Sequence, residues 1–322
     1  MVSPRPAGAF RRLAVATAVL VYLLIIMGGI VRVTGSGLGC ADSWPSCNGS
    51  LLPAFNPNSI IEFLHRFISV LAGIAIVSLT LSTWIWEGRH RRLAVAAGVA
   101  AFLYLLQAAL GALVVKYNLP GGIVMVHLAN ALLLLGTLVY IAVQSTAGPT
   151  AAAVITRRSA PLTAVAAGAT YVLALSGAFV VENGAGIACN GWPLCGGGFQ
   201  LPTGELAVIN SAHRVVALLV VLLIALTMLA LLRRHRGDSA LRAGALTVVG
   251  LILLQIPAGA LVVVLGLPAP VRALHLSLAS ALWATVLGVA VLTRIRERSV
   301  SPAPESTRVA DALVARREMA AS

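Results

Sequence analysis

Four of the six histidines in this chain recur at a fixed distance, and their spacing is compatible with haem-iron ligation. His65 and His213 lie 148 residues apart, and the same offset relates His127 to His275. Two neutral imidazoles from facing helices can supply the two axial ligands of a haem iron. The pattern therefore indicates two equivalent sites, each with one histidine pair.

Two other interpretations of the histidines stay open at this point. Each histidine could be a polar residue near the membrane interface that makes one interhelical hydrogen bond. All four could also converge on zinc or copper, although carboxylates and thiolates at ligand spacing are missing. One histidine on each of four helices, paired within each copy, favours a functional role over isolated hydrogen bonds.

Several residues around the histidines fit the needs of a haem site. Small side chains leave an apolar slot for the haem ring, and arginines can bind its propionates. Arginines at helix ends could instead extend to the lipid headgroups. Gln107 and Gln255 are predicted to make interhelical hydrogen bonds. The slot candidates are Gly111, Ala112, Gly259 and Ala260, and the propionate candidates are Arg66, Arg214 and Arg272.

One carboxylate distinguishes the first histidine pair from the second. Glu62 lies three residues before His65, on the same helical face, whereas the equivalent residue of the second copy is Asn210. A carboxylate beside a haem site could move protons or stabilise a cationic intermediate. It could also only stabilise the N-terminal end of its helix. The asymmetry favours a catalytic role for Glu62.

The four cysteines form two closely spaced pairs, each beside a Trp-Pro element. They are Cys40 with Cys47 and Cys189 with Cys195. Cysteines on the oxidising side of a membrane are expected to form disulfides within their loops. A shared four-thiolate metal site stays an alternative, and the spacing does not distinguish structural from redox-active disulfides.

The composition is that of an integral membrane protein. Apolar residues make up 59% of the 322 residues and charged residues only 10%. Hydropathy predicts eight segments long enough to cross a bilayer. These segments are 12–31, 62–86, 93–115, 123–146, 160–181, 206–232, 241–265 and 272–293.

The charge distribution predicts the orientation in the membrane and argues against nucleic-acid binding. The net charge of +13 comes from arginines at the N-terminus, in every second loop and after the last segment. This is the positive-inside pattern, so both termini are expected in the cytoplasm and the cysteine loops outside. His90 and His235 lie among these arginines and are expected to be solvated.

The chain is predicted to be an all-α integral membrane protein with eight transmembrane helices in two tandem, pseudo-symmetric four-helix bundles. The repeat divides it into a first half, residues 1–150, and a second half, residues 151–298. Residues 299–322 are rich in serine, proline and charge and are predicted to be a disordered cytoplasmic tail.

These motifs together resemble the haem A synthase family of bacteria, over residues 10–295. The resemblance rests on EFLHR at 62–66, NSAHR at 210–214, HxxN at 127–130 and the cysteine loop at 40–47. The family oxidises a methyl group of haem O to a formyl group in two successive hydroxylations, for the cofactor supply of terminal oxidases. The resemblance therefore implies an oxidoreductase of the bacterial cell membrane.

The resemblance also implies a role for each site residue. His213 and His275 would ligate a resident haem b, and the second half would be its site. His65 and His127 would flank the haem O substrate in the first half, with Glu62 as the essential carboxylate. Cys40–Cys47 matches the first-loop disulfide of the family. Some members lack the second pair.

The implied partners are the lipid bilayer, haem O synthase as the source of substrate and an unidentified electron donor or acceptor. Nucleic acid is not expected, and a homo-oligomer is possible. The main alternative function is a b-type electron-transfer cytochrome linked to quinone, which usually places haems at two depths. A transporter is less consistent with helices nearly free of charge at their centres. A structural or assembly factor, which would bind no haem, stays an alternative.

Overall fold

The computed structural model contains eight long helices that are apolar enough to cross a membrane. It describes residues 8–41, 46–47, 49–50, 52–85, 91–147, 159–189, 191–197 and 202–300. The described residues form no extended strand. The helices are α1 Gly8–Val33, α2 Pro57–Ile85, α3 Arg91–Lys116, α4 Gly121–Thr146, α5 Ala160–Glu182, α6 Glu205–Arg234, α7 Ser239–Val264 and α8 Ala269–Val300.

The all-α membrane fold predicted from the sequence is confirmed, and each helix matches one predicted segment. The predicted tail was placed two residues too early, because α8 continues to Val300. The rest of the tail, residues 301–322, lies outside the described residues. His90 and the first Trp-Pro element, Trp44 and Pro45, also lie outside them.

Helix packing within the two halves follows the same pattern. In the first half α1 packs on α2 and α4, and α3 packs on α2 and α4; α5 to α8 repeat these four contacts. Between the halves, α1 packs on α8, and the equivalent pair in the repeat, α5 and α4, also packs together. In addition, α4 packs directly on α8. This is the contact pattern of a pseudo-twofold axis.

Two reciprocal hydrogen bonds connect the halves. Tyr22 on α1 donates to the carbonyl of Ser277 on α8 at 3.2 Å. Tyr171 on α5 donates to the carbonyl of Ala129 on α4 at 3.1 Å. These contacts are equivalent in the repeat, so the two halves contact each other through the same surface.

A close approach of α4 and α8 forms the centre of the molecule. Gly136 on α4 faces the ring of Trp283 on α8, and a Cβ atom at Gly136 would lie only 2.3 Å from that ring. Small residues allow this approach where no apolar driving force exists between helices in lipid. The helices that carry His127 and His275 are therefore in direct contact.

The two cysteine pairs form disulfides within their own loops. Cys40 bonds to Cys47 and Cys189 bonds to Cys195. The predicted pairing is confirmed, and no free cysteine is found in the described part of the chain. Both loops connect to the end of the bundle at which α2 and α6 begin.

Candidate functional site

The four histidines lie at one end of the bundle, in equivalent positions. His65 is residue nine of α2 and His213 is residue nine of α6 (65 − 57 + 1 and 213 − 205 + 1). His127 and His275 are residue seven of α4 and α8 (127 − 121 + 1 and 275 − 269 + 1). The four side chains therefore share one depth, as predicted.

The histidines form two pairs, one in each half. His65 is close enough to His127 for electrostatic interaction, and His213 is close enough to His275. Within the described residues, no three side chains of histidine, cysteine, aspartate or glutamate group together as metal ligands. The arrangement thus provides two-histidine sites rather than one four-histidine metal cluster.

A glycine on the neighbouring helix contacts the Cε1 atom of each histidine. A Cβ atom at Gly28, Gly111 or Gly177 would lie 3.2, 3.4 and 3.2 Å from this atom, and one at Gly259 would lie only 2.8 Å away. An alanine would therefore displace the imidazole at Gly259, crowd it at Gly28 and Gly177, and only touch it at Gly111. Gly111 and Gly259 were predicted to line the slot, but Gly28 and Gly177 were not.

The hydroxyl of Ser176 is a hydrogen-bond partner of His213. Its oxygen lies 2.8 Å from the carbonyl of Leu173 and 2.8 Å from Nδ1 of His213. When the hydroxyl donates to that carbonyl, its oxygen accepts from a protonated Nδ1, and Nε2 keeps the lone pair that can ligate iron. The residue equivalent to Ser176 in the first half is Met27, 149 residues earlier, and Nδ1 of His65 is buried without a partner.

His127 belongs to a hydrogen-bond chain that a backbone carbonyl orients. Asn130 donates to the carbonyl of Leu103 at 2.9 Å and to Oε1 of Gln107 at 2.7 Å. The amide nitrogen of Gln107 must therefore face Nε2 of His127, at 3.1 Å. Because that nitrogen donates, Nε2 accepts and Nδ1 carries the proton. The predicted interhelical role of Gln107 is confirmed.

The equivalent chain in the second half is incomplete. Leu278 occupies the position of Asn130, so Oε1 of Gln255 is buried with no partner within the described structure. The amide nitrogen of Gln255 lies 3.5 Å from Nε2 of His275, at the long limit for a hydrogen bond. The two halves thus hold their second histidines differently.

Glu62 is buried, with its side chain only 4% exposed. Its Oε2 accepts the backbone N–H of Cys40 at 2.9 Å, and its Oε1 forms an ion pair with Arg66. Arg66 also donates to the carbonyl of Ser46 in the cysteine loop at 2.9 Å. A charged partner and a backbone donor thus fix both oxygens of this buried carboxylate one turn from His65.

Asn210 takes the place of Glu62 in the second half, where it is also buried. Arg214 donates to its side-chain oxygen at 2.9 Å and to three carbonyls of the second loop, those of Cys189, Gly191 and Pro193. The same geometry is therefore built without a carboxylate. Both arginines contact their own cysteine loops, and Arg272 is half-buried one turn before His275.

His235 is buried, so the expectation that it is solvated was wrong. It is 7% exposed at the end of α6, and its Nε2 has no partner among the described residues. The C-terminal turn of α8 lies close to it: Arg296 pairs with Asp238 at 2.9 Å, three residues after His235, and Glu297 accepts the backbone N–H groups that begin α5.

The residues present fit a haem group in each half. Each half offers two imidazoles close to one another and a glycine against each ring, where a side chain would fill the space. Planar groups need such narrow apolar slots, and neutral imidazole is the required ligand form. Among the described residues, only the first half places a buried carboxylate, Glu62, one turn from its histidine.

Comparisons with known proteins agree with this geometry. Residues 11–287 match the model of the COX15-CtaA family, described as cytochrome oxidase assembly protein. A protein named heme A synthase from Geobacillus kaustophilus is 31% identical over 88% of this chain and 91% of the relative. One from Symbiobacterium thermophilum is 32% identical, over 88% of this chain and 95% of the relative. One from Bacillus licheniformis is 31% identical, over 79% and 86%.

Proposed function

The chain belongs to the COX15-CtaA family and functions as a haem A synthase, and on that premise we propose that it oxidises a methyl group of haem O to a formyl group. Two successive hydroxylations would pass through an alcohol and a hydrated aldehyde. The observation that carries this proposal is the asymmetry of the two equivalent histidine sites: in the described part of the chain, only the first has a buried carboxylate, Glu62, one turn from its histidine.

The second half is the site of a resident haem b in this proposal. His213 and His275 would ligate its iron, and the haem would supply one-electron redox chemistry. Ser176 supports the assignment because its oxygen, with the hydroxyl on the Leu173 carbonyl, can hold His213 in the tautomer that leaves Nε2 free. Gly177 and Gly259 keep both rings in place without filling the slot.

The first half is the site of the haem O substrate in this proposal, between His65 and His127. Glu62 acts as the catalytic carboxylate, accepting or returning protons as the methyl carbon is oxidised. The backbone of Cys40 and the guanidinium group of Arg66 hold its two oxygens in place. Asn210 could not take this role, because its amide has no group that ionises near neutral pH and could act as an acid or a base.

The propionates and the disulfides complete the proposal. Arg66, Arg214 and Arg272 lie next to their histidines or one turn away and would bind propionates, the first two while also contacting the cysteine loops. Cys40–Cys47 lies against the catalytic carboxylate through the Cys40 amide. Cys189–Cys195 holds the equivalent loop over the resident haem.

The setting follows from the same reasoning. The protein is a multi-pass membrane protein with bacterial relatives. We place both termini in the cytoplasm and the cysteine loops outside, because arginines cluster at the opposite end from these loops. Haem O synthase would deliver the substrate, and a separate redox partner would exchange electrons with the protein.

Replacing Glu62 by glutamine tests the proposal, since Asn210 shows that an amide fits this position. The variant should retain both haems but accumulate haem O without haem A, measured by extraction, chromatography and mass spectrometry of the purified protein. Glu205, an exposed carboxylate at the start of α6, provides the matched control, and Glu205→Gln should keep full activity. Normal haem A formation by Glu62→Gln would refute the proton role.

An electron-transfer cytochrome, the alternative considered from the sequence, is not favoured. All four histidines lie at one end of the helices, so haems bound there would not span the bilayer.

A further inference from the structure

The hydrogen-bond chain at His127 has a consequence for iron ligation in the first half. The lone pair on Nε2 of His127 is the one that would bind iron, and the amide of Gln107 donates to that same lone pair at 3.1 Å. One lone pair cannot bind both. Iron and the Gln107 amide are therefore competing partners of His127.

Asn130 makes this competition effective. It holds Oε1 of Gln107 at 2.7 Å and is itself fixed by the carbonyl of Leu103, so the donor end of Gln107 stays directed at His127. A fixed donor loses little conformational freedom when the imidazole arrives, so its bond adds nearly its full strength.

The second half does not have this fixed donor. Leu278 replaces Asn130, Oε1 of Gln255 has no partner among the described residues and the amide lies 3.5 Å from His275. His213, the other histidine of the second half, is also fixed, by a hydrogen bond with Ser176. The second half is therefore built for permanent ligation by both histidines.

We propose that His127 is the releasable axial ligand of the substrate haem, and that Gln107, positioned by Asn130, captures it when it leaves the iron. On release the bond between iron and Nε2 breaks, and a hydrogen bond from Gln107 to Nε2 forms. No electron or proton is transferred in this exchange. Gln107 and Asn130 are positioning residues, since they act through His127.

This inference rests on the proposed function of the first half, and it adds how a coordination position becomes free there. A haem ligated by two histidines has no position for a further ligand. Release of His127 frees one position on the side of α4 while His65 keeps the substrate in place. The second haem stays closed, so external ligands reach only the substrate.

Carbon monoxide binding to the reduced, haem-loaded protein measures this release. In Asn130→Leu, which copies the second half, the carbon monoxide affinity of the first-half haem should fall about fivefold, as expected for the loss of one hydrogen bond. The reciprocal change Leu278→Asn should raise the affinity of the second-half haem by a similar factor. Because Leu278 already leaves Gln255 unsatisfied, the fold tolerates Asn130→Leu.

The double change with His127→Ala tests whether Asn130 acts through His127. Without His127, the position is open and Asn130→Leu should have no further effect. An unchanged carbon monoxide affinity in Asn130→Leu, or an equal effect with and without His127, would overturn the inference. Haem extraction from the same samples shows whether haem O is bound, so a failure of the proposed function is recognised separately.

Haem-free protein provides a second measurement that does not depend on loading. Nitrogen-15 NMR of labelled histidine should show His127 with a protonated Nδ1 and a hydrogen-bonded Nε2. Gln107→Leu should shift the Nε2 signal, and Gln255→Leu should leave it unchanged. An Nε2 signal of His127 that does not change in Gln107→Leu would overturn the proposed capture of His127 by Gln107.

Discussion

If the second half holds the resident haem as proposed, replacing Gly259 by alanine should selectively release it. The new Cβ atom would lie 2.8 Å from Cε1 of His275, whereas ordinary carbon contacts begin at 3.4 Å, so the imidazole must retreat by about 0.6 Å. A free imidazole could move, but one bound to iron cannot move by this distance without distorting the bond. Overpacking of this kind costs about 1–3 kcal/mol, which corresponds to about a five- to 150-fold loss of haem affinity.

Gly250→Ala is the matched control for this experiment. Gly250 lies on the same helix, and a Cβ atom there would meet nothing within 4 Å. Both substitutions favour the helix by about 1 kcal/mol, so a difference between them reports the contact with His275. Haem transfer to apomyoglobin measures the affinity, and optical spectra distinguish haem b from haem O. Equal haem b retention in Gly259→Ala and Gly250→Ala would refute the packing argument.

Two further predictions concern His213 and His235. Ser176→Ala should leave Nδ1 of His213 unpartnered and lower resident haem affinity about fivefold, measured by the same transfer assay, and an unchanged affinity would contradict the tautomer argument. Burial lowers the pKa of His235, and the carboxylates of Glu297 and Asp238 only partly offset this. Its neutral form therefore stabilises the fold above the ordinary histidine pKa, and this stability is lost as the pH falls through the lowered pKa. Thermal unfolding in detergent should show that acid pH lowers the melting temperature less in His235→Gln than in wild type. Parallel plots of melting temperature against pH would contradict this prediction.

Hydropathy predicts the helices well because lipid requires long apolar segments with satisfied backbones. It misplaces their ends where polar residues continue a helix. Prediction ended α8 at 293, before its charged residues, but Arg296 and Glu297 extend it by binding Asp238 and the start of α5. His235 lies close to these contacts and is buried, which its arginine-rich surroundings did not indicate.

The site was partly predictable because the repeat aligns its residues. The histidines, Glu62, Gln107 and the disulfides follow from spacing and compartment. Ser176 was missed, although an offset of 149 rather than 148 aligns it with Met27 and reveals a polar residue in one copy only. The contacts of Gly28 and Gly177 could not be predicted, since they depend on how closely two helices approach.

The reciprocal contacts between the halves have an evolutionary consequence. A four-helix ancestor could have paired with a second copy of itself through the bonds that Tyr22 and Tyr171 now make. In such a homodimer one gene specifies both sites, so any substitution alters both at once. Fusion of two copies removes this constraint. Differences such as Glu62 opposite Asn210 can then arise in one site alone, so fusion lets one histidine site change while the other stays as it was.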